Sequence, residues 1–368
     1  MNREEIRRQI VEYVKDQVGK GLEKRKAEYN LYSYCTLSHN LYQFLPSVSG
    51  DEHWDIYKNI LACKALSANT DYFHTFDYEH ILRNVTKETL RPYLPCIIAC
   101  FHFCDRTGYF MPLIRENINF AIITGYEGEV LQKKLEEVTG EIEFTKKFFP
   151  GSTTKVELIS YKSKSLFIDL LRKIKEGCSI MWFQDWADKY VNPEECVPVS
   201  FLNHQILVPK GMAVFSYVTK RPIVPWFAFY SKDMQSECRL GDIIKPQSMT
   251  QEEYIKYVPQ ELYGQLENNV RSHYQDWEGW FNIHRFTTGE SAPVNTKPVS
   301  PAVSFKDLHI SKTSSMFKIG NESFIMNRKS GKLIEIDDRI IKIISERRLS
   351  DLTEKECEIL CRDEILVE

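Results

Sequence analysis

The feature that most constrains the fold of this chain is a series of short, continuous apolar runs between residues 96 and 230, separated by helical stretches. Each run is too short to cross a membrane, and none alternates as a strand with one face in water would. Such runs are typical of strands buried on both faces of a parallel sheet. They occupy residues 96–101, 120–124, 178–183 and 223–230.

Helical stretches separate these runs, at residues 108–116, 129–139 and 165–176. Alternation of this kind predicts an α/β domain with a largely parallel central sheet flanked by helices. We also expect a strand at residues 78–85 and a helix that ends near Gln275. Ligands of parallel sheets bind beyond the carboxyl ends of the strands, so catalytic residues are expected where the apolar runs end.

The regions around this domain differ from it in pattern. Residues 1–77 are expected to be mainly helical, because apolar residues recur every four positions from Ile6 to Leu22. Residues 291–303 are rich in Ser, Thr and Pro and predict a linker. We therefore predict one domain over residues 1–290, including the helical N-terminal region, and a small α+β module over residues 304–368. In that module, residues 316–319, 323–327 and 332–336 predict three strands, followed by two short helices.

Composition and charge narrow the class of protein. The chain is 43% apolar and 27% charged, which is usual for a globular protein, and its formal charge of −3 argues against a dedicated nucleic-acid binder. No secretion signal and no run of about 18 apolar residues is evident, so we expect at most peripheral membrane contact. The ten irregularly spaced cysteines favour a reduced, cytoplasmic setting.

The most informative short segment follows the first apolar run, where the chain reads ACFHFCDRTG over residues 99–108. A buried strand ends there, and His102 lies where the chain turns toward a helix. Acyl transfer from a thioester needs a base that takes a proton from the nucleophile, and histidine can do this near neutral pH. A carboxylate can hold the tautomer of that histidine and stabilise its charged form, and Asp105 is three residues away.

Further segments of the chain form an ordered series of landmarks. They are the His-Phe at 102–103, the helix, Gly turn and strand over 166–180, Phe183-Gln184-Asp185, the stretches 198–203 and 209–211, Arg221-Pro222-Ile223-Val224-Pro225, and WEGWFNIHRF at 277–286. Together they resemble the lysophospholipid acyltransferases, and in particular the lipid A biosynthesis (lauroyl-type) acyltransferases, over about residues 80–290. This resemblance implies an acyltransferase-type α/β fold.

The resemblance also implies an activity and a set of site residues. The activity would be transfer of a fatty acyl group from an acyl-carrier-protein or acyl-CoA thioester to a hydroxyl or amine, without a metal or a further cofactor. His102 would be the general base. Thr107 stands where the family has its acid, so we expect Asp105 to replace that acid. Asp185 would shape the pocket or orient His102 indirectly, while His284 and Arg285 would lie near the pocket mouth, Arg285 facing an acidic group of the donor.

The C-terminal module resembles the peptide-recognition domains of the pyrroloquinoline-quinone chaperone type over about fifty residues. That resemblance implies a peptide or carrier-bound acceptor, as in natural-product or modified-peptide biosynthesis. A winged-helix-like appendage is the alternative for the module. For the whole chain, the alternatives are a lysolipid or lipid A-type acyltransferase at a membrane surface and a non-catalytic acyl-binding protein.

Two other chemistries stay open around His102. Cys100 and Cys104 bracket it, and a Cys–His pair can act in nucleophilic catalysis. Strand alternation would also place Cys96, Cys100, His102 and Cys104 on one face, although the paired ligand knuckles of a zinc site are missing. Under the acyltransferase hypothesis, we expect a deep apolar tunnel beside His102, with Phe101, Phe103, Trp182 and Phe183 at or near its walls.

Overall fold

The computed structural model describes residues 2–24, 27–67, 72, 74–76, 85–103, 107–187, 189–231, 233–246, 249–287, 308–319 and 322–367. The chain divides into two compact units. The sheet unit comprises Met1–Glu12 and Ala62–Thr288, and the second unit comprises Tyr13–Leu61 and Gly289–Glu368.

A six-stranded sheet forms the centre of the sheet unit, in the order β3-β2-β4-β1-β7-β8. Its first five strands are parallel, and β8 pairs antiparallel with β7 at the edge. The strands are β1 (Ile97–Cys100), β2 (Phe120–Thr124), β3 (Val156–Ser160), β4 (Ser179–Phe183), β7 (Ile223–Tyr230) and β8 (Ser236–Leu240). The fold is thus α/β with a largely parallel sheet, as the alternating apolar runs predicted.

Helices connect and flank these strands, as crossovers between parallel strands require. They are α4 (Lys87–Leu90), α5 (Thr107–Arg115), α6 (Gly128–Lys146), α7 (Leu166–Lys175), α8 (Gly211–Thr219) and α9 (Gln251–His273). Every residue of β1 and β7 is buried, which explains why those runs are apolar throughout. The core on one side of the sheet includes Ile98, Leu113, Ile142 and Met181.

Some elements were not predicted from the sequence. β3 lies at the open edge of the sheet and is only partly buried, so its sequence VELIS lacks the continuous apolar run of a central strand. A separate hairpin, β5 (Cys196–Phe201) with β6 (His204–Pro209), was also not anticipated. The strand predicted at residues 78–85 lies, apart from Val85, outside the described residues.

The second unit contains a three-stranded antiparallel sheet, in the order β10-β11-β12. The strands of this unit are β9 (His309–Ile310), β10 (Ser314–Ile319), β11 (Glu322–Asn327), β12 (Lys332–Ile336) and β13 (Leu366–Val367). Two helices, α10 (Asp338–Ser345) and α11 (Glu354–Arg362), complete the predicted α+β module. Asp337 and Thr353 cap the first turns of these helices with their side chains.

Residues 13–61 group with this module, whereas the sequence-based division placed residues 1–77 with the sheet domain. The helices before the sheet are α1 (Arg3–Lys24), α2 (Ala27–Phe44) and α3 (His53–Leu66). From α2, the ring of Tyr34 meets that of Phe317 edge-on at 4.7 Å, and His39 Nδ1 lies 2.9 Å from the Arg328 carbonyl oxygen. These contacts join residues that are almost 300 positions apart, so no local pattern in the sequence predicts them. The predicted linker at 291–303 lies outside the described residues.

Membrane spans were searched among the helices of the described ranges. None of these helices combines the length and the apolar character that crossing a bilayer requires. The cytoplasmic location stays a prediction.

Candidate active site

The register of two neighbouring strands brings His102 and Asp185 together. β1 and β4 run parallel, with Cys100 opposite Phe183 at their carboxyl ends. His102 and Asp185 each follow two residues later, so they meet just beyond the paired strands although they are 83 residues apart in sequence. This is the edge where ligands of parallel sheets bind.

Asp185 contacts both the side chain and the backbone of His102. Its Oδ1 lies 2.8 Å from His102 Nδ1, and its Oδ2 accepts a hydrogen bond of 2.8 Å from the His102 backbone N–H. The indole N–H of Trp277 donates a third bond, of 2.7 Å, to Oδ2. Asp185 is 1% exposed, and these three donors offset the cost of burying its carboxylate.

This arrangement determines which nitrogen of His102 can act as a base. An ionised carboxylate can only accept hydrogen bonds, so the imidazole carries its proton on Nδ1 when it is neutral. Nε2 is then left with a lone pair that can take a proton from a nucleophile. The His102 ring packs on Phe183 at 4.4 Å and on Trp186 at 5.2 Å, and its side chain keeps 28% of its surface exposed.

Buried tyrosines hold the two loops that carry the pair. The Tyr109 hydroxyl donates to the carbonyl of Phe101, next to His102. The Tyr263 hydroxyl donates a 2.8 Å bond to the carbonyl of Gln184, next to Asp185. Burial raises the pKa of both phenols well above the usual value, so both stay protonated donors. The loop conformations are thereby fixed by groups that do not titrate near neutral pH.

A cavity of about 1160 Å³ opens beside His102. This exceeds the roughly 300–1,000 Å³ of ordinary small-molecule sites. Phe103, Trp182 and Phe183 line it, as expected, whereas Phe101 instead stacks on Phe227 with 5.1 Å between ring centres. Much of the remaining apolar wall comes from β2, β3 and the helices α5, α6 and α7, with Phe110, Ile122, Val138, Leu158 and Leu170.

Exposed apolar side chains gather at the same edge of the sheet. They follow the carboxyl ends of β2, β3 and β4 in the loops and the first turns of α6 and α7. The exposed rim, as we call this set, comprises Tyr126, Val130, Tyr161, Phe167, Ile168, Trp186 and Tyr190. Most of its members also line the cavity, together with Lys134, Lys162, Lys189 and Lys210. The cavity therefore opens through an aromatic and partly basic surface.

His284 and Arg285 contact the loop after β4, and neither belongs to the cavity wall. Arg285 Nη1 donates a 2.5 Å hydrogen bond to the Ala187 carbonyl, and its own carbonyl accepts from the Val191 N–H at 3.1 Å. The His284 ring meets Tyr190 edge-on at 5.9 Å. This pair thus supports the loop that carries Trp186 and Tyr190.

Asp105 and Cys104 lie outside the described residues, as does the side chain of Thr107. Burial raises the pKa of the Cys96 thiol to about 12 and raises the pKa of the Cys100 thiol well above its usual value, so neither is a ready thiolate near neutral pH. Among the described residues, no group of three or more His, Cys, Asp or Glu side chains is arranged to hold a metal ion.

Sequence reasoning missed three residues of the site. Trp277 bonds to Asp185, and Glu278 forms an ion pair with Lys64 on the cavity wall. Trp277 and Glu278 begin the 277–286 landmark. The sequence therefore pointed to this segment, but only His284 and Arg285 near its end were predicted as site residues. Lys64 comes from α3 and carries no local signal.

Comparison with known proteins adds no family to this description. No protein-family model matches the sequence, and no curated protein matches it either.

Proposed function

We propose that the chain is an acyltransferase that moves a fatty acyl group from an acyl-carrier-protein or acyl-CoA thioester to a hydroxyl or amine acceptor. One observation carries the proposal. His102 is oriented by a buried carboxylate, its Nε2 is left as the base, and it lies on the wall of a large apolar cavity.

His102 would perform two proton transfers in this reaction. The oxygen or nitrogen of the acceptor attacks the carbonyl carbon of the thioester, and His102 Nε2 takes the proton that this atom loses. The imidazolium that forms is stabilised by Asp185, as in other carboxylate–histidine pairs. When the tetrahedral intermediate collapses, the carbon–sulfur bond breaks and the departing thiolate takes that proton. No metal or redox step is needed for the balance.

The lining of the cavity supports a long acyl chain. Each CH₂ group removed from water contributes about 0.8 kcal/mol, so an apolar wall favours long chains over acetyl. Ile122, Val138 and Leu170 are buried side chains on that wall. Charged residues such as Lys64 and Glu278 also line the cavity, so the support for a long acyl chain comes from this apolar part of the wall.

For the acceptor, we propose a peptide or a carrier-bound intermediate. The antiparallel sheet of the second unit ends at β12, whose outer edge has no partner strand among the described residues. Such an edge can bind an extended peptide through backbone hydrogen bonds. Acylation in natural-product or modified-peptide biosynthesis would use this arrangement.

A second candidate acceptor is a lysolipid taken from a membrane surface. It is favoured by the exposed rim, because Trp and Tyr are the residues enriched where proteins meet the lipid–water interface. The same residues would then guide the lipid toward His102.

The test supplies a series of acyl-pantetheine and acyl-CoA thioesters, from acetyl to palmitoyl, with either peptide or lysolipid acceptors. Mass spectrometry follows the acylated product, and calorimetry follows binding. We expect transfer that increases with chain length up to a limit. Flat binding from acetyl upward would reject a fatty-acyl enzyme, and chain-dependent binding without transfer to any acceptor would favour the non-catalytic alternative.

A further inference from the structure

An ion pair lies on the wall of the cavity beside His102. Lys64 Nζ is 2.6 Å from Glu278 Oε2. The Glu278 side chain is only 7% exposed, whereas that of Lys64 keeps 39% of its surface exposed. Both residues line the cavity. A nearly buried carboxylate is therefore neutralised by an ammonium that still reaches the cavity space.

Backbone pairing fixes where this ion pair lies relative to His102. Phe103 and Trp277 form an antiparallel bridge, which places Glu278 directly opposite His102. The Glu278 N–H accordingly donates a 2.7 Å hydrogen bond to the His102 carbonyl. Opposed residues of an antiparallel pair carry Cβ atoms on the same face, roughly 5 Å apart. The Glu278 backbone thus lies against that of His102, and the side chains of His102, Glu278 and Lys64 line the same cavity.

Lys64 retains hydrogen-bonding capacity in this arrangement. An ammonium carries three N–H donors, and the Glu278 carboxylate accepts one of them. The Glu278 carboxylate holds this ammonium in place at the cavity wall. A cationic donor with a fixed position is what a developing negative charge in a largely apolar cavity requires.

Acyl transfer creates such a charge next to His102. When the acceptor attacks, its proton passes to Nε2 and the electron pair of the carbonyl bond moves onto oxygen. That oxyanion persists until the carbon–sulfur bond breaks and the thiolate takes the proton from the imidazolium. The nucleophile must lie about 3 Å from Nε2, so the oxyanion forms within a few ångströms of the ring.

We propose that Lys64 is a catalytic residue that donates a hydrogen bond to this oxyanion, and that Glu278 positions it. The inference rests on the proposed acyl transfer. Lys210 offers a matched comparison, since it lines the same cavity and donates instead to the Glu194 carbonyl at 2.7 Å.

The experiment compares kcat, KM for the acyl thioester and the thermal midpoint in Lys64→Met, Lys210→Met, Glu278→Gln and the double variant Lys64→Met/Glu278→Gln. For Lys64→Met we expect kcat to fall by about 10²–10³-fold, the usual cost of losing one oxyanion donor. KM should change much less, and Lys210→Met should lower kcat far less than Lys64→Met does. Binding of an unreactive thioether analogue should be unaffected by Lys64→Met.

The double variant separates catalysis from folding. Lys64→Met alone leaves a buried, unpaired carboxylate and can lower stability, and the second substitution removes that charge. We expect the double variant to regain the thermal midpoint but not kcat. Recovery of kcat together with the midpoint would overturn the inference, because the pair would then be structural only. Normal kcat in Lys64→Met would overturn it too, whereas absence of transfer by the unaltered protein would overturn acyl transfer itself and this inference with it.

Discussion

Asp185 holds His102 at two points, with one carboxylate oxygen 2.8 Å from the ring Nδ1 and the other 2.8 Å from the backbone nitrogen. With the backbone and the ring of His102 both bonded to Asp185, the ring cannot rotate without breaking a hydrogen bond to a buried carboxylate. Such bonds are among the stronger ones in proteins. His102 is therefore pre-organised before any substrate enters.

Replacing Asp185 by Asn should lower acyl transfer by about 10²–10⁴-fold, because the amide can hold the wrong tautomer and cannot stabilise the imidazolium. Steady-state kinetics with a long-chain thioester would measure the loss. Asp105→Asn is the matched variant, since the sequence predicts Asp105 as the working acid. A larger loss in Asp105→Asn than in Asp185→Asn would return that role to Asp105.

Trp277→Phe removes one donor to Asp185 while keeping most of the buried ring. A hydrogen bond to a charged group is worth about 1.5–3 kcal/mol, so both the free energy of unfolding and kcat should fall. Trp280→Phe is the control, because its indole N–H donates to the Tyr274 carbonyl instead. Trp280→Phe should lower the free energy of unfolding with little change in kcat. Equal kcat values for the two variants would deny Trp277 a role in positioning Asp185.

The second unit should lose stability as the pH falls from about 6.5 to about 4. Burial, followed by the nearby Arg328 charge, lowers the pKa of His53 to about 4, against about 6.5 in an unfolded chain. The unfolded state therefore binds the proton first, and the loss reaches about 3 kcal/mol below pH 4. Inside the fold, Ser38 Oγ lies 2.8 Å from His53 Nδ1.

Chemical denaturation of the wild type and His53→Asn between pH 4 and pH 7.5 measures this effect. The difference between the two curves removes the contribution of the acidic side chains, which both proteins share. We expect the wild type to lose more stability than the variant on acidification. Parallel curves would mean that His53 does not titrate as described.

Val138→Trp should shorten the longest acyl chain that the protein accepts. Val138 is buried on the cavity wall, and the indole ring of a tryptophan there would occupy the space of several methylene groups of the acyl chain. Since each CH₂ contributes about 0.8 kcal/mol, each one excluded should cost about fourfold in affinity. Val130→Trp on the same helix is the control, because Val130 is 58% exposed and lies outside the cavity wall. An unchanged chain-length limit in Val138→Trp would remove the acyl chain from this part of the cavity.

The central strands and the position of His102 could be predicted from the sequence because their signals are local. Strands buried on both faces must be almost wholly apolar. β1 and β7 carry only apolar or aromatic residues, and β2 and β4 each contain one hydroxyl residue, at one end. The edge strand β3 escaped prediction because one side of it meets solvent. His102 stood out as a titratable residue at the end of such a run.

The sequence predicted only that Asp185 would shape the pocket or orient His102 indirectly, and their direct bond could not be predicted, because strand order decides it. Asp185 reaches His102 only because β4 lies beside β1, and the sequence alone does not specify that neighbour. Glu278 depends on the bridge between Phe103 and Trp277, and Lys64 on a helix more than 200 residues away. Asp105 was chosen for its closeness in sequence, which is not a measure of closeness in space.

The most direct measurement of the central claim compares acyl transfer by the wild type and His102→Ala with the same palmitoyl thioester and acceptor. Release of free thiol and the mass of the acylated product report the rate, and the thermal midpoint reports the fold. Losing a general base usually costs about 10²–10⁴-fold, so we expect that loss with a nearly unchanged midpoint. Transfer by His102→Ala at the wild-type rate would contradict the account.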